Sequence, residues 1–385
     1  MGGEGREVVD SAVYFQGDGE RLSPAATIRR LAAFEARHGI RPDSYSLGGV
    51  VEEVEEALAR TLGTEAALFL PTGTLANLLA ITRHCGRRGQ ALVPAESHVY
   101  RDTGDGVARL GGIQMIPLAP DRPGPTVEEV RTALDRTEGD RVDSPPGVVL
   151  LESPVRRQMG RVLPFAELQA ITALCRERGV PTHLDGARLF MMAAATGISV
   201  RRYCALFDTV YVSLCKYLGA PFGAVLAGSR EFVAGLYHER RRFGGSLPGA
   251  WMAAALVLQG LEGFEERFGA AMAQGRELFE ALNGIEGLRV SPLTDGSNIF
   301  PLRLGAGLTP AALSQRLQGQ GIILPPASGP EGGPPAPAVL PLAVNVTILR
   351  RSNEALLESF AAAVRETVAG AGREPVTAGP PRSAG

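Results

Sequence analysis

Between Ala66 and Gly228 the chain repeats one pattern: a short apolar run, a break containing glycine or polar residues, then a longer stretch with apolar positions at helical spacing. AALFLP leads into TLANLLAITRHC, and QALVPA into a helix after SHVYRD. GIQMIPLA and GVVLLES follow, then FAELQAITALCRERG, VPTHLDG, TVYVSL and FGAVLAG. Short runs rich in Val, Ile, Leu and Tyr predict buried strands, and the 3.6-residue periodicity predicts the helices between them. Such alternation implies an α/β fold with a mostly parallel, doubly wound sheet, whose ligands lie at the carboxyl ends of the strands. From about Ala250 the text turns helical, and short strands are expected at GLRVSP, SNIFPLRL and AVNVTI, which suggests a smaller C-terminal α+β domain. The organisation expected is an N-terminal arm (1–25), a large ligand-binding domain (26–255), a small domain (256–370) and a disordered Gly/Pro/Ala-rich tail (371–385). The segment PPASGPEGGPPAPAVLP, from Pro325, reads as a flexible surface loop near the site.

Composition narrows the partners. The formal net charge of −2 and the lack of a basic block interleaved with aromatics give no sign of a nucleic-acid or membrane-surface partner. No apolar run reaches the roughly 18 residues a membrane span needs, and the first residues do not read as a secretory signal. A cytoplasmic protein acting on small molecules is expected. Cys85, Cys175, Cys204 and Cys215 are scattered and form no metal-spaced pair, so reduced thiols are expected, with neither disulfide nor zinc.

One feature of composition outweighs the totals. All but one of the 39 basic residues are arginine, and the exception is Lys216. A chain that uses arginine for generic positive charge keeps lysine where arginine cannot serve. Only a primary amine loses its proton readily and forms an imine with an aldehyde. A stray surface lysine is the plain alternative.

Four strand-end segments agree with that chemistry. At PTGT, the N–H groups of Gly73 and Thr74, the Thr74 hydroxyl and the helix dipole could hold a phosphate, although the motif could equally be an N-cap alone. In HLDGAR, Asp185 could pair with a protonated pyridine nitrogen, and Arg188 could reach a cofactor oxygen or a substrate carboxylate. A structural Asp–Arg ion pair is the alternative there. Lys216 follows the strand-like TVYVSL and precedes a Gly-rich turn. His98, in a further strand-end loop, could stack on a ring and relay protons, or simply be solvated.

With those residues in place, Tyr45 to about Leu261 resembles the threonine aldolase and β-eliminating lyase family of fold-type-I pyridoxal-phosphate (PLP) enzymes. PTGTLANLLAITRHC is similar to the family's PSGTMANLLA, HLDGAR is identical to its pyridine-nitrogen motif, and LCKYLGAPFGAVLAG is similar to SKGLGAPVGS. The resemblance implies a fold-type-I PLP-dependent transferase-like fold with PLP held as a Schiff base on Lys216. Asp185 would be the pyridinium partner, His98 the ring-stacking histidine, and Gly73 and Thr74 the phosphate ligands. Arg188 would bind the 3′ oxygen or the carboxylate. Arg241 falls where the family has a lysine that reaches the phosphate of a neighbouring subunit, so a homodimer or homotetramer with shared active sites is implied.

Departures from the pattern bear on the substrate. RSDT is replaced by QGDG (Gln16 to Gly19), ENTH by ESPV, and GGGMRQ by GGSLPG, which removes an arginine at Pro248. The RLVTH-like strand, whose arginine clamps the substrate carboxylate, becomes PLAVNVT, with Leu342 and Asn345 in that vicinity. Neither Leu nor Asn can replace that planar fork, so either Arg156, Arg157 or Arg303 supplies the charge from another position or the substrate differs. Arg188, Arg156, Arg157 and Asn345 are the expected substrate-binding residues. The reaction implied is cleavage or formation of the Cα–Cβ bond of a β-hydroxy-α-amino acid, with His98 taking the β-hydroxyl proton. β-Elimination of the C–S lyase kind, or transamination, would use the same residues, and a non-catalytic PLP-fold module is the remaining alternative. No GxGxxG follows a strand with the acid a dinucleotide site requires.

Overall fold

A computed structural model describes residues 11–136, 144–327 and 339–371. Seven strands form the main sheet: β2 (Ala66–Leu70), β3 (Gln90–Pro94), β4 (Gln114–Leu118), β5 (Val148–Glu152), β6 (Thr182–Asp185), β7 (Thr209–Ser213) and β8 (Ala224–Gly228). Their order is β2-β8-β7-β6-β5-β3-β4, and only β8 runs against the others. The interior strands β5, β7 and β8 are buried along their whole length because helices cover both faces, which is why their sequences are mostly apolar, with the polar Glu152, Thr209 and Ser213 at strand ends. Edge strand β4 is only half-buried and carries Pro117, a residue with no N–H to give a further ladder. These observations match the expected α/β class.

The helix Gly73–Cys85 lies across this sheet against β5, β7 and β8. Its buried stretch from Leu75 to Ile81 is apolar except for Asn77. Another anchor is Arg240, fully buried, which donates to the carbonyls of Phe69 (2.6 Å) and Ser46 (3.0 Å) and so ties the segment before the helix Gly49–Leu62 to the end of β2.

The C-terminal part holds a three-stranded antiparallel sheet, β9 (Leu288–Val290), β10 (Ile299–Leu304) and β12 (Val339–Ala343), in the order β12-β10-β9. The N-terminal arm adds a parallel pair, β1 (Val13–Tyr14) on β11 (Ile322–Ile323). The helix Trp251–Leu261 runs through the boundary expected at 255/256 and packs on the helix Gly49–Leu62. The strand expected at AVNVTI lies earlier: Ala343 ends β12, and Val346–Arg350 is a 3₁₀ turn. Asn345 caps that turn by accepting from the Thr347 N–H (3.1 Å), which is the reason the β-branched run does not stay extended. Most of the Pro/Gly-rich segment (328–338) and of the tail (372–385) lies outside the described residues. Among the described residues no helix is long and apolar enough to cross a membrane.

Candidate active site

Three neighbouring strands supply a row of polar side chains, two of them at their carboxyl ends. Glu152 is the register partner of Asp185 across β5 and β6, and Asp185 that of Tyr211 across β6 and β7. All three are buried, and each is met by an element from above the sheet edge. Gly73 sits at the Tyr211 hydroxyl so closely that a Cβ there would lie 1.9 Å from it. Asn77, one turn further along the same helix, donates from Nδ2 to Asp185 Oδ2 at 2.6 Å, while the Ala187 N–H reaches Oδ1 at 3.1 Å. The His98 N–H donates to Glu152 Oε2 at 2.5 Å, and the Arg156 N–H donates to Oε1 at 3.1 Å.

Glu152 therefore ties the His98 loop to the strand row. Its carboxyl is pushed up to about 7, first by burial and then by the negative charge of Asp185, against the two N–H donors that favour its ionised form. The sequence reading passed over Glu152, Asn77 and Asp18. A strand-terminal acid, an amide in an apolar helix and an aspartate in a glycine-rich arm carry no local signal of their use.

Lys216 lies in the turn just after β7, half-buried. Its ammonium pKa is held below the ordinary lysine value, first by burial and then by the positive charge of Arg188, with Asp185 and Asp18 opposing. Arg188, three residues past Asp185, makes a forked pair with Asp18 of the arm, Nε to Oδ1 at 2.6 Å and Nη2 to Oδ2 at 2.8 Å. The plain alternative of an Asp185–Arg188 pair does not hold, because the carboxylate that engages the guanidinium belongs to Asp18. Backbone contact is tight there as well: a Cβ on Gly19 would come within 2.6 Å of the Lys216 carbonyl, so the QGDG glycine lets the arm lie against the lysine turn.

At PTGT the cap is Thr72, whose side chain accepts from the Leu75 N–H (3.2 Å). Gly73 and Thr74 thus begin the helix, with N–H groups that have no intrahelical acceptor and point out of its N-terminus. His98 opens the short helix His98–Arg101 and is half-buried.

Other expected residues are placed differently. Asn345 is buried and its amide is spent on the fold: Nδ2 donates to the Tyr14 carbonyl (2.9 Å), while Oδ1 accepts from the Thr347 N–H and hydroxyl. It is a cap and an anchor for the arm, which corrects its reading as a substrate ligand. Arg157 is exposed and paired with Asp102 at 2.5 Å, and Arg156 is exposed beside it. Arg303 is exposed on β10, and Leu342 is buried in β12. Arg241 is exposed and lies over the Tyr45 ring, 5.0 Å from its centroid.

The arrangement is suited to PLP. An amine of lowered pKa, a carboxylate for a ring nitrogen, an open helix N-terminus for a phosphate and a glycine that admits a close approach converge at one sheet edge. Among the described residues no group of three or more His, Cys, Asp and Glu could hold a metal ion. All four cysteines are free, with Cys215 exposed and the others buried.

Comparison with known proteins agrees with this fold. The family model described as beta-eliminating lyase matches residues 23–301. Low-specificity L-threonine aldolase 1 of Arabidopsis thaliana is 29% identical over 277 residues, covering 70% of this chain and 77% of the relative. A crystal structure from Exiguobacterium, described as an aromatic amino acid beta-eliminating lyase/threonine aldolase, superposes with a TM-score of 0.77 at 27% identity, covering 93% of this chain and 98% of that one. One described as an L-allo-threonine aldolase from Listeria monocytogenes gives 0.74 at 25% identity, covering 93% and 97%.

Proposed function

The chain belongs to the beta-eliminating lyase family, and we propose that it is a PLP-dependent aldehyde-lyase that cleaves or forms the Cα–Cβ bond of β-hydroxy-α-amino acids. The products of cleavage are glycine, or a related amino acid, and an aldehyde. The observation that carries this reading is the placement of the chain's sole lysine at the end of β7, with a lowered amine pKa and with Asp185 and Arg188 among the charges that act on it. The similarity to threonine aldolases supports the choice of reaction.

PLP would be held by Lys216 through its aldehyde, by Asp185 at the ring nitrogen, and by Gly73 and Thr74 at the phosphate. Bound there, it supplies an electron sink for the pair released at Cα when the Cα–Cβ bond breaks. Asp185, fixed by two N–H donors, would be held in register for the ring nitrogen. Asp18 takes Nε and Nη2 of Arg188 and leaves Nη1 as the edge that meets a 3′ oxygen or a substrate carboxylate. His98, anchored through its backbone by Glu152, takes the β-hydroxyl proton and returns it in the synthetic direction. Arg156 and Arg157 line the approach, where a substrate carboxylate can displace Asp102 from Arg157. We further propose a cytoplasmic homodimer or homotetramer in which Arg241 meets a neighbouring site.

Borohydride reduction of the PLP-treated protein is expected to leave a pyridoxyl group on Lys216, read by peptide mass. Incubation with L-threonine and L-allo-threonine should release acetaldehyde and glycine, and Lys216→Ala should release neither. Pyruvate and ammonia from a cysteine conjugate, without acetaldehyde, would mean β-elimination instead. An unmodified Lys216 would sink the whole reading.

A further inference from the structure

Behind Asp185 runs a buried file of polar side chains that the reaction above does not use. Asn77 and His183 are fully buried and Thr209 is 1% exposed, between the helix Gly73–Cys85 and strands β6 and β7. His183 Nε2 meets Asn77 Oδ1 at 3.0 Å, and its Nδ1 meets Thr209 Oγ1 at 2.8 Å. The same Thr209 oxygen is 2.8 Å from His84 Nε2, and the His84 ring stacks on Phe232 with centroids 4.5 Å apart. Apolar residues would fill this layer at lower desolvation cost, since an unsatisfied buried polar group costs ~1–3 kcal/mol. Three such groups, continued by the half-buried His84 in one connected line, need a common purpose.

The chemistry of the groups fixes the direction of every bond. An ionised carboxylate only accepts, so Asn77 presents its NH₂ to Asp185 and its carbonyl to His183. His183 Nε2 must then carry the hydrogen. Burial, followed by the neighbouring His84, holds the His183 pKa down to about 3, so the ring is neutral and Nδ1 is an acceptor. Thr209 gives its single hydrogen to that nitrogen, and its oxygen accepts from the Nε2–H of His84. Each donor therefore points toward Asp185, and bonds aligned head to tail polarise one another.

We propose that Asn77, His183, Thr209 and His84 form a one-directional hydrogen-bond relay that holds the Asp185 carboxylate charged and oriented for the cofactor's ring nitrogen. Asn77 and His183 are thereby positioning residues: Asn77 occupies Oδ2, and Oδ1, which takes only the Ala187 N–H, is the oxygen left to face the ring. The direction of the relay stands on the protein alone. Its purpose rests on the PLP reading above.

The test has two arms. The protein contains five histidines, few enough for ¹⁵N-histidine spectra of the full chain, with and without PLP, to assign each ring. His183 and His84 are expected to carry hydrogen at Nε2 and none at Nδ1 at neutral pH; a His183 protonated at Nδ1 overturns the relay. In the second arm, Thr209→Val cuts the line at its centre with little change of shape. It should raise the dissociation constant for PLP about tenfold, equivalent to ~1.4 kcal/mol, and shift the visible band of the bound cofactor. Thr209→Ser should restore both. A Val variant with the wild-type band and affinity overturns the role, and borohydride labelling of wild-type Lys216 separates that result from failure of the PLP reading. If Thr209→Val does not fold, the wild-type tautomers still decide the direction.

Discussion

Lys216 stands among opposed charges, and they set when its amine is free to react. Burial and Arg188 lower its pKa, whereas Asp185 and Asp18 raise it. Replacing Asp18 by Asn removes one of the charges that favour the ammonium form, so the amine should lose its proton at lower pH. Arg188→Gln removes the opposing charge and should move the pKa upward. The measurement is the pH dependence of the rate at which cofactor-free protein captures PLP, with its midpoint displaced downward in Asp18→Asn and upward in Arg188→Gln. Displacement of both in the same direction would show that the charges do not act on Lys216 as described. Asp18→Asn should also cost ~1.5–3 kcal/mol in urea unfolding, since a charge-assisted fork is lost around a largely buried guanidinium. The contrast between these residues explains what was legible in the sequence. Lys216 is conspicuous because its residue type is unique in the chain and it follows a strand. Asp18 is not, because its partner lies far along the chain and only the folded arm brings the two together. Asn345 misled for a related reason: a polar residue near the end of a strand-like run looks available, and only the Tyr14 and Thr347 contacts reveal that it is committed.

Among the elements, the helix Gly73–Cys85 carries the most of the proposed site, since its first residues are the proposed phosphate ligands and its first full turn delivers Asn77 to Asp185. Its seating depends on one missing atom. A Cβ on Gly73 would lie 1.9 Å from the Tyr211 hydroxyl and 2.2 Å from Cζ, and Tyr211 is held inside the fully buried strand β7. Gly73→Ala must therefore push the helix start off the sheet, at a cost of ~1–3 kcal/mol for overpacking, with loss of PLP affinity. Tyr211→Phe should not rescue it, because the ring carbons remain within contact. Tyr211→Leu should restore the unfolding midpoint of the double variant. Thermal unfolding of the four proteins decides this, and rescue by the Phe variant would show that the hydroxyl alone is the obstacle. The strands themselves were legible because most are short, largely apolar runs, several of them ended by glycine, proline or an acid. Their order and the antiparallel course of β8 were not, because a pattern of burial holds no information about which neighbour provides it. The 3₁₀ turn at Val346–Arg350 was hidden for the opposite reason: its β-branched residues fit a strand, and a single side-chain cap decided against one.

For the molecule as a whole, the same buried groups give stability an unusual dependence on pH. His84 and His183 have folded pKa values pushed down to about 4 and about 3, chiefly by burial. The unfolded chain, with histidine near ~6.5, thus binds more protons than the folded one as pH falls through that value, and their contribution, complete above it, is lost on acidification. Glu55 and Glu152 act with the opposite sign. Burial raises both to about 7, so the folded protein retains protons that unfolded glutamates, near ~4.3, have released. Their contribution is complete below the unfolded value and is lost as pH rises toward 7. Between about 4.5 and 6.5 the two histidines and two glutamates oppose each other nearly proton for proton, so the unfolding free energy should be almost flat there. Below about 4.5 only the histidine effect continues and stability should fall, helped by Asp102 and Glu129, whose paired carboxylates have lowered pKa values. His183→Gln offers the decisive comparison, because glutamine can keep a donor and an acceptor in the relay but does not titrate. With one histidine removed, the glutamates outweigh the other, and the variant should gain stability as pH falls from 6.5 to 5 while the wild type stays level. Urea midpoints across that interval report the slope, and parallel curves for the two proteins would mean that His183 is not the buried neutral ring on which the relay depends.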